Sequence, residues 1–307
     1  MRTVFLGTPE FAVAPLARLC SLSLTEVVAV VTNLDKPAGR KMILTPPPVK
    51  IFAQSKGIPV YQYKSIRKEG VEDMRKLRPD IMITCAFGQI LSEEILDIPP
   101  LGVYNIHGSL LPKYRGASPV QHAVLCGDKV TGITIMKTDV GVDTGDILFS
   151  ESIGIGEGET SGDVFAKLSA LGADCIEKAV RLIAAGNVSL TPQDDSAATH
   201  TGMISKADAF IDFTDGAELI VNKVRAFNPS PVAFTLLNGQ PFKIYRALKA
   251  EGKGACGEII SVDGGITVAC KDGAVRLLSV QKAGGKVMDG AEFLRGNKIP
   301  AGTVLGK

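Results

Sequence analysis

The sequence predicts an α/β protein whose first two-thirds form a doubly wound, mostly parallel sheet, with a small β-barrel or sandwich behind it. Up to about residue 186, short apolar runs alternate with helix-like segments, a pattern that calls for right-handed crossovers between parallel strands. From about residue 207 the texture changes to brief β-rich runs punctuated by "NG", "DGG" and "KDG" turns. Between the two, "NVSLTPQDDSAATHTGMISK" is polar and lacks periodicity, as a linker should. The expected organisation is a first domain over 1–186, a linker over 187–206 and a second domain over 207–307.

Each element follows from its own residues. "RTVFLG" is a short strand ending in glycine, and "TPEFAVAPLARLC" supplies a threonine cap, a proline in the first turn and apolar helix spacing. "EVVAVVTN" is the continuous apolar run of a strand buried on both faces. "LDKPAGRKMILTPPPVK" is too rich in glycine and proline for either element and predicts a long loop. Then come a helix in "PVKIFAQSKG", a strand in "IPVYQ", a helix in "EGVEDMRKLR" and strands in "PDIMITCAFG" and "GVYNIH". After a Pro-containing segment, "SPVQHAVLCG" is a helix, and "TGITIMKT" and "DILFSESIGI" are strands. A long amphipathic helix, "TSGDVFAKLSALGADCIEKAVRLIAAG", has a threonine cap and a glycine stop. The second domain builds its strands from "PVAFTLL", "QPFKIYRAL", "CGEIISV", "GITVAC" and "AVRLLSV".

Composition narrows the function. Apolar residues make up 45% and charged residues 21% of 307, with 33 glycines and no tryptophan, which suits a globular enzyme and not a disordered or fibrous chain. The apolar run Val4 to Leu6 is too short for a signal peptide or a membrane span, so a cytoplasmic protein without membrane contact is expected. No two of the six cysteines lie closer than 14 residues, which excludes a redox pair or zinc knuckle and predicts reduced core thiols. Net charge is +2, yet residues 201–307 carry 14 basic against 10 acidic side chains, an excess that suits either a solvated surface or a footprint for nucleic acid.

Chemistry concentrates in "YNIHGSLLPKYRGASPVQHA". Ligands of doubly wound sheets gather at the carboxyl ends of the strands, and Asn105 and His107 stand at the end of "GVYNIH". Positions i and i+2 of a strand share a face, so amide and imidazole are neighbours. A neutral amide can donate to an oxyanion without competing for the proton that an imidazole takes and returns near neutrality, a pairing suited to acyl transfer to an amine. In "TDVGVDTGD", glycines bracket Asp143 on a tight loop that can set a carboxylate beside the imidazole. A lone histidine at a strand end also serves structure, and Asp139, Asp143 and Asp146 also serve as turn formers. "SLLPKYRG" is irregular, with backbone groups available to a heterocycle. His122, in a helix, and His200, in the linker, carry no assigned role. "LGTP" offers only Gly7 where a GxGxxG fingerprint needs three glycines, so no dinucleotide is expected, and three scattered histidines make no metal site.

"NIHGSLLPKYRGASPVQ" followed by "TGITIMKTDVGVDTGDIL" resembles the folate-dependent formyltransferases. Their Asn-His-Asp set gives the reaction but not the acceptor. "FLGTPEFA", "TNLDKPAGRKMILTPPPVK" and "VRAFNPSP" are similar to the branch that acts on methionyl initiator tRNA, and the likeness runs from residue 3 to about 246. The resemblance implies a Rossmann-like catalytic domain joined to a β-barrel of the oligonucleotide-binding-fold type. It implies 10-formyltetrahydrofolate as co-substrate and the α-amino group of methionyl initiator tRNA as acceptor; a monomer without a metal is expected. Carried over by position, Asn105, His107 and Asp143 are catalytic, Ser109, Leu110, Leu111 and Pro112 contact the folate, and Arg40 and Lys41 meet the tRNA acceptor arm. The chain departs from the family in "GRKMIL" for the usual "GRGKKL", in "NPSP" for "NPWP", and in "ISKADAFIDF" for an ending in Asp-Trp. The first loses a lysine and the second an aromatic surface at Ser230, so tRNA contacts are expected to weaken while the catalytic set stays whole. Two other readings stay open: a formyltransferase acting on an amino-sugar nucleotide, and a non-catalytic RNA-binding protein.

Overall fold

A computed structural model describes residues 1–39 and 42–306. In chain order its strands are β1 (Arg2–Gly7), β2 (Glu26–Thr32), β3 (Lys36–Ala38), β4 (Ile43–Thr45), β5 (Val60–Gln62), β6 (Ile81–Cys85), β7 (Val103–His107), β8 (Arg115–Gly116), β9 (Val130–Lys137), β10 (Ile147–Gly154) and β11 (His200–Thr201). They continue with β12 (Phe234–Leu237), β13 (Gln240–Ala250), β14 (Ile259–Ser261), β15 (Ile266–Cys270), β16 (Gly273–Lys282) and β17 (Met288–Asp289). The helices are α1 (Val13–Ser21), α2 (Pro48–Ser55), α3 (Ile66–Glu69), α4 (Val71–Leu77), α5 (Glu93–Leu96), α6 (Pro119–Leu125), α7 (Ser161–Ala184), α8 (Ala217–Ala226) and α9 (Gly290–Gly296). Two compact units result. One gathers Met1–Gly116, Val130–Ile153 and Phe165–Thr201, and the other takes Ala117–Lys129, Gly154–Val164 and the chain from Gly202 onward.

The first unit is a seven-stranded sheet in the order β10-β9-β7-β6-β1-β2-β5. β1 runs parallel to β2 and β6, β5 parallel to β2, and β7 parallel to β6, while β9 is antiparallel to β7. From central β1 the chain winds out through β2 and β5, then returns to β6 and winds the other way. The strand order thus reverses beside β1, and the loops leaving the carboxyl ends diverge there, as a ligand crevice requires. β6 is buried throughout, in keeping with a sequence that is apolar but for Thr84. Val4, Leu6, Ala29, Val31, Met82 and Val103 pack on one sheet face against Ile66, Met74 and Ile95 from the helices.

Local chemistry decided several details differently from expectation. Thr8 does not cap a helix: its hydroxyl donates to the Phe87 carbonyl at 3.1 Å, and the chain enters α1 through a single 3₁₀ turn at Glu10–Ala12 with no side-chain cap. Thr160 does cap α7, accepting from Asp163 N at 3.3 Å while Asp163 Oδ2 accepts from Thr160 N at 2.8 Å, a reciprocal box. The other end closes as a Schellman motif, with Gly186 N on Ile183 O and Asn187 N on Leu182 O. The stretch expected as a loop before α2 holds an antiparallel hairpin, β3 with β4, pairing Lys36 with Thr45. Pro37 fits there because a two-stranded ribbon has only edges. The base of that hairpin is tied down by polar side chains: Lys50 Nζ donates to both oxygens of Asp35 at 2.9 and 2.8 Å and to Gln62 Oε1 at 2.9 Å. Gln62 Nε2 donates to Asn33 O at 2.7 Å, and Gln89 Nε2 to Asn33 Oδ1 at 2.8 Å and Tyr63 O at 3.0 Å.

The second unit carries an antiparallel sheet in the order β12-β13-β16-β15-β14, with β17 on β16. Asn238 and Gly239, with φ of 52° and 71°, form the two-residue turn that pairs Leu237 with Gln240, the geometry an "NG" signal demands. Register shifts around Arg246 bend the long β13–β16 ladder. Phe242, Ile244, Val268, Leu277 and Phe293 are fully or almost fully buried, the two phenylalanine rings 5.3 Å apart. Ser230 is exposed beside two cis X-Pro bonds.

All six cysteines are free, but only Cys85, Cys175 and Cys270 are buried, and Cys20, Cys126 and Cys256 face solvent. Burial pushes the Cys175 thiol up to about 12, which keeps it protonated and inert. Among the described residues no helix is long and apolar enough to cross a membrane, and no three His, Cys, Asp or Glu side chains are set to hold a metal ion.

Candidate active site

β7 is a buried strand whose last residues emerge at the carboxyl edge of the sheet. Strand alternation sends Asn105 and His107 the same way, while Tyr104 and Ile106 go into the core, 2% exposed each. Both side chains meet one carboxylate. Asn105 Nδ2 donates to Asp143 Oδ1 at 3.2 Å, and His107 Nδ1 lies 3.5 Å from Asp143 Oδ2. The amide cannot flip freely, because Thr84 Oγ1 on β6 donates to Asn105 Oδ1 at 2.9 Å, which fixes the NH₂ end toward Asp143. His107 Nε2 lies 3.0 Å from the Tyr114 carbonyl, an acceptor only, so that nitrogen carries a hydrogen. The imidazole is 5% exposed.

Asp143 reaches this point from a loop between β9 and β10. Its φ of 55° is left-handed, a conformation that costs most L residues free energy and that Asp tolerates better than most. Its Oδ2 also accepts from Gly116 N at 2.9 Å. Gly116 has φ +100°, and a Cβ there would stand 2.5 Å from the Thr201 carbonyl, so only glycine allows this approach. At Gly145 a Cβ would collide with the Lys137 carbonyl. The same loop holds Asp139 as a turn former, accepting from Gly141 N at 3.0 Å and Thr144 Oγ1 at 2.8 Å.

The segment after β7 is irregular and firmly seated. Thr134 Oγ1, on β9, donates to Ser109 O at 2.7 Å and accepts from Leu111 N at 3.1 Å. Ser109 is fully buried, its hydroxyl donating to Lys113 O at 2.6 Å, and Leu111 is buried too. Leu110 and Pro112 stay partly exposed. Of the sequence-predicted site residues, therefore, Asn105, His107 and Asp143 converge, Ser109 to Pro112 form the adjoining wall, and Arg40 and Lys41 lie outside the described residues.

Several contributors gave no clear sequence signal. Arg115 is 3% exposed, with Nε donating to Gln193 Oε1 at 3.0 Å and Nη2 to Asp195 Oδ1 at 2.7 Å. Gln193 Nε2 donates to the carbonyls of Asp143 at 2.9 Å and Gly145 at 2.7 Å. Thr199 Oγ1 accepts from Tyr114 N at 2.8 Å, and β11 pairs in parallel with β8. The stretch expected as a plain linker thus lies against the back of the site.

Residues 1–180 match the formyl transferase family, and residues 203–298 match the formyl transferase C-terminal domain. The methionyl-tRNA formyltransferase of Geobacter sulfurreducens is 43% identical over 309 aligned residues, covering 100% of this chain and 97% of its own. Among solved structures, the N-formyltransferase from Helicobacter canadensis, in complex with folinic acid and dTDP-3-aminofucose, superposes with a TM-score of 0.66 at 18% identity, over 92% of this chain and 99% of that one. HypX from Aquifex aeolicus, in complex with tetrahydrofolic acid, gives 0.64 at 17% identity over 96% of this chain, which spans about half (47%) of HypX. At such identities the structures speak to fold alone. Sequence identity over the whole length, with both domains matched in order, shows that the chain belongs to the methionyl-tRNA formyltransferase family.

Proposed function

We propose that this protein transfers the formyl group of 10-formyltetrahydrofolate to the α-amino group of methionyl initiator tRNA. The observation that carries the reading is the convergence of the Asn105 amide and the His107 imidazole on the Asp143 carboxylate at the end of β7. Full-length likeness to methionyl-tRNA formyltransferases supports the choice of acceptor.

The folate supplies a formyl carbon on N10, and transfer exchanges the N10–carbon bond for one to the α-amino nitrogen, with the proton the amine sheds ending on N10. Asn105 has a second amide hydrogen beyond the one on Asp143, and this donates to the oxyanion that develops on the formyl oxygen. Where the incoming amine replaces the Tyr114 carbonyl as the partner of Nε2, the ring carries its hydrogen on Nδ1, facing Asp143, so that Nε2 is free to take the amine's proton and return it to N10. Asp143 orients the ring and balances its charge while it holds that proton. Leu110 and Pro112, partly exposed on a backbone pinned by Thr134, give a flat heterocycle an apolar wall, and Ser109 and Leu111 hold that wall from within. Arg40 and Lys41 engage the phosphates of the acceptor arm.

Supplying 10-formyltetrahydrofolate with methionyl initiator tRNA, or with a UDP-amino-sugar, and following folate release tests the reading. Turnover with the tRNA alone is expected. Turnover with the sugar nucleotide alone would reassign the acceptor, and no turnover with either would leave a binding protein. Arg40→Ala should weaken tRNA binding and flatten its salt dependence without changing folate affinity.

A further inference from the structure

We infer that Gln193 is a positioning residue for Asp143, so that the polar stretch between α7 and β11 acts as part of the catalytic apparatus. The inference rests on the formyl-transfer reading and adds to it a residue that never needs to touch substrate.

Within the loop that carries Asp143, Asp139 ties Gly141 and Thr144 together, but none of its bonds reaches the backbone carbonyls of Asp143 or Gly145. Val140 and Val142 are 69% and 56% exposed, and Asp143 sits in a left-handed conformation that an unsupported loop would leave. From outside the loop, Gln193 grips its backbone at two points, donating both hydrogens of one amide nitrogen to the carbonyls of Asp143 and Gly145, on either side of Thr144. Its oxygen accepts from Arg115 Nε, and Arg115 in turn is braced by Asp195. Two donors and one acceptor are all in use. No charged residue reproduces this arrangement. A glutamate would accept from Arg115 but repel two carbonyl oxygens, and a lysine would satisfy the carbonyls but face the guanidinium. Glutamine is the side chain that couples a buried arginine, fixed on β8, to the backbone of the carboxylate that both Asn105 and His107 use.

The functional consequence is geometric. The His107–Asp143 contact is already 3.5 Å, so a small drift of the loop separates the pair. Misplacement of a catalytic group by about 1 Å costs on the order of 100-fold in rate. Substrate contacts are made elsewhere, so the loss belongs in kcat and not in KM.

The test is a double-mutant cycle in the full-length protein, comparing wild type, Gln193→Ala, Asp143→Ala and the double variant by steady-state formyl transfer, with thermal unfolding measured alongside. Gln193→Ala is expected to lower kcat about 10- to 100-fold with KM for both substrates within about twofold. In the Asp143→Ala background the same change is expected to do nothing further, since no carboxylate is left to place. Losses that multiply in the double variant, or an unchanged kcat in folded Gln193→Ala, overturn the inference. Gln193→Glu keeps the Arg115 contact while removing both donors to the loop. It should reproduce the kcat loss in a protein that still folds, and it decides the matter if the alanine variant does not fold. Wild-type protein inactive with tRNA would sink the proposed function instead, an outcome read before any variant is compared.

Discussion

At the ends of β2 and β5, Lys50, Asp35, Gln62, Asn33 and Gln89 are joined by hydrogen bonds of 2.7 to 3.0 Å. At the end of β7, Asn105 and His107 reach Asp143 only at 3.2 and 3.5 Å. Both assemblies stand at carboxyl ends of one sheet, and both are built from amides, a carboxylate and a basic group. The first has spent its donors and acceptors on itself and fixes the base of a hairpin. The second is clamped tightly from behind, by Thr84, Gly116 and Gln193, yet loosely joined across its front. Polar side chains become available for chemistry where their supports are tight and their mutual contacts are long enough to be exchanged for a substrate.

Breaking the front of the β7 assembly should have the largest effect. His107→Ala and Asp143→Ala are each expected to lower kcat by roughly two to four orders of magnitude while Tm barely moves. A near-normal rate in either would erase the contrast. The opposite pattern is expected on the β5 side: Gln89→Ala removes bonds to Asn33, Tyr63 and Ile66 and should cost about 1–3 kcal/mol in urea unfolding, with kcat unchanged in the folded protein.

Acid sharpens the same comparison. Hydrogen bonds from Lys50, then from Gln62, hold the Asp35 carboxyl below the usual carboxylate range. A carboxylate whose folded pKa is depressed adds stability above its unfolded pKa, about 3.9, and loses it as pH falls through the folded value. Wild type should therefore exceed Asp35→Asn in stability at pH 7, and the two should converge below about pH 4. Unfolding curves that stay equally separated at low pH would deny the carboxylate its part. The smallest effect belongs to Lys113, which is exposed: Lys113→Ala should change stability by less than about 0.5 kcal/mol and leave the rate alone.

The central strands were legible because burial on both faces leaves an unbroken apolar run, and Asn105 and His107 because alternation puts them together wherever "GVYNIH" forms a strand. Asp143 could be suspected from its bracketing glycines. The hairpin at Lys36–Thr45 was not legible, since a two-stranded ribbon with both faces open imposes no apolar alternation. Arg115 and Gln193 were hidden for a different reason. Their partners lie 78 and 50 residues away, and a polar residue in a polar stretch carries no mark of such a distant partner. The capping threonines divide on the same principle: Thr160 acts within its own turn, whereas Thr8 is claimed by Phe87, 79 residues distant.

The pairing of β11 with β8 also says where this chain can be divided. A cut after α7, at the tidy helical stop of Gly186, would leave Asn105, His107 and Asp143 on the retained fragment and still discard Gln193, Asp195, Thr199 and the strand His200–Thr201. The compact unit that holds Asn105, His107 and Asp143 extends to Thr201. The fifteen residues from Asn187 that look most dispensable to a protein engineer, or to recombination between related genes, are inherited with the active site and not with the second domain.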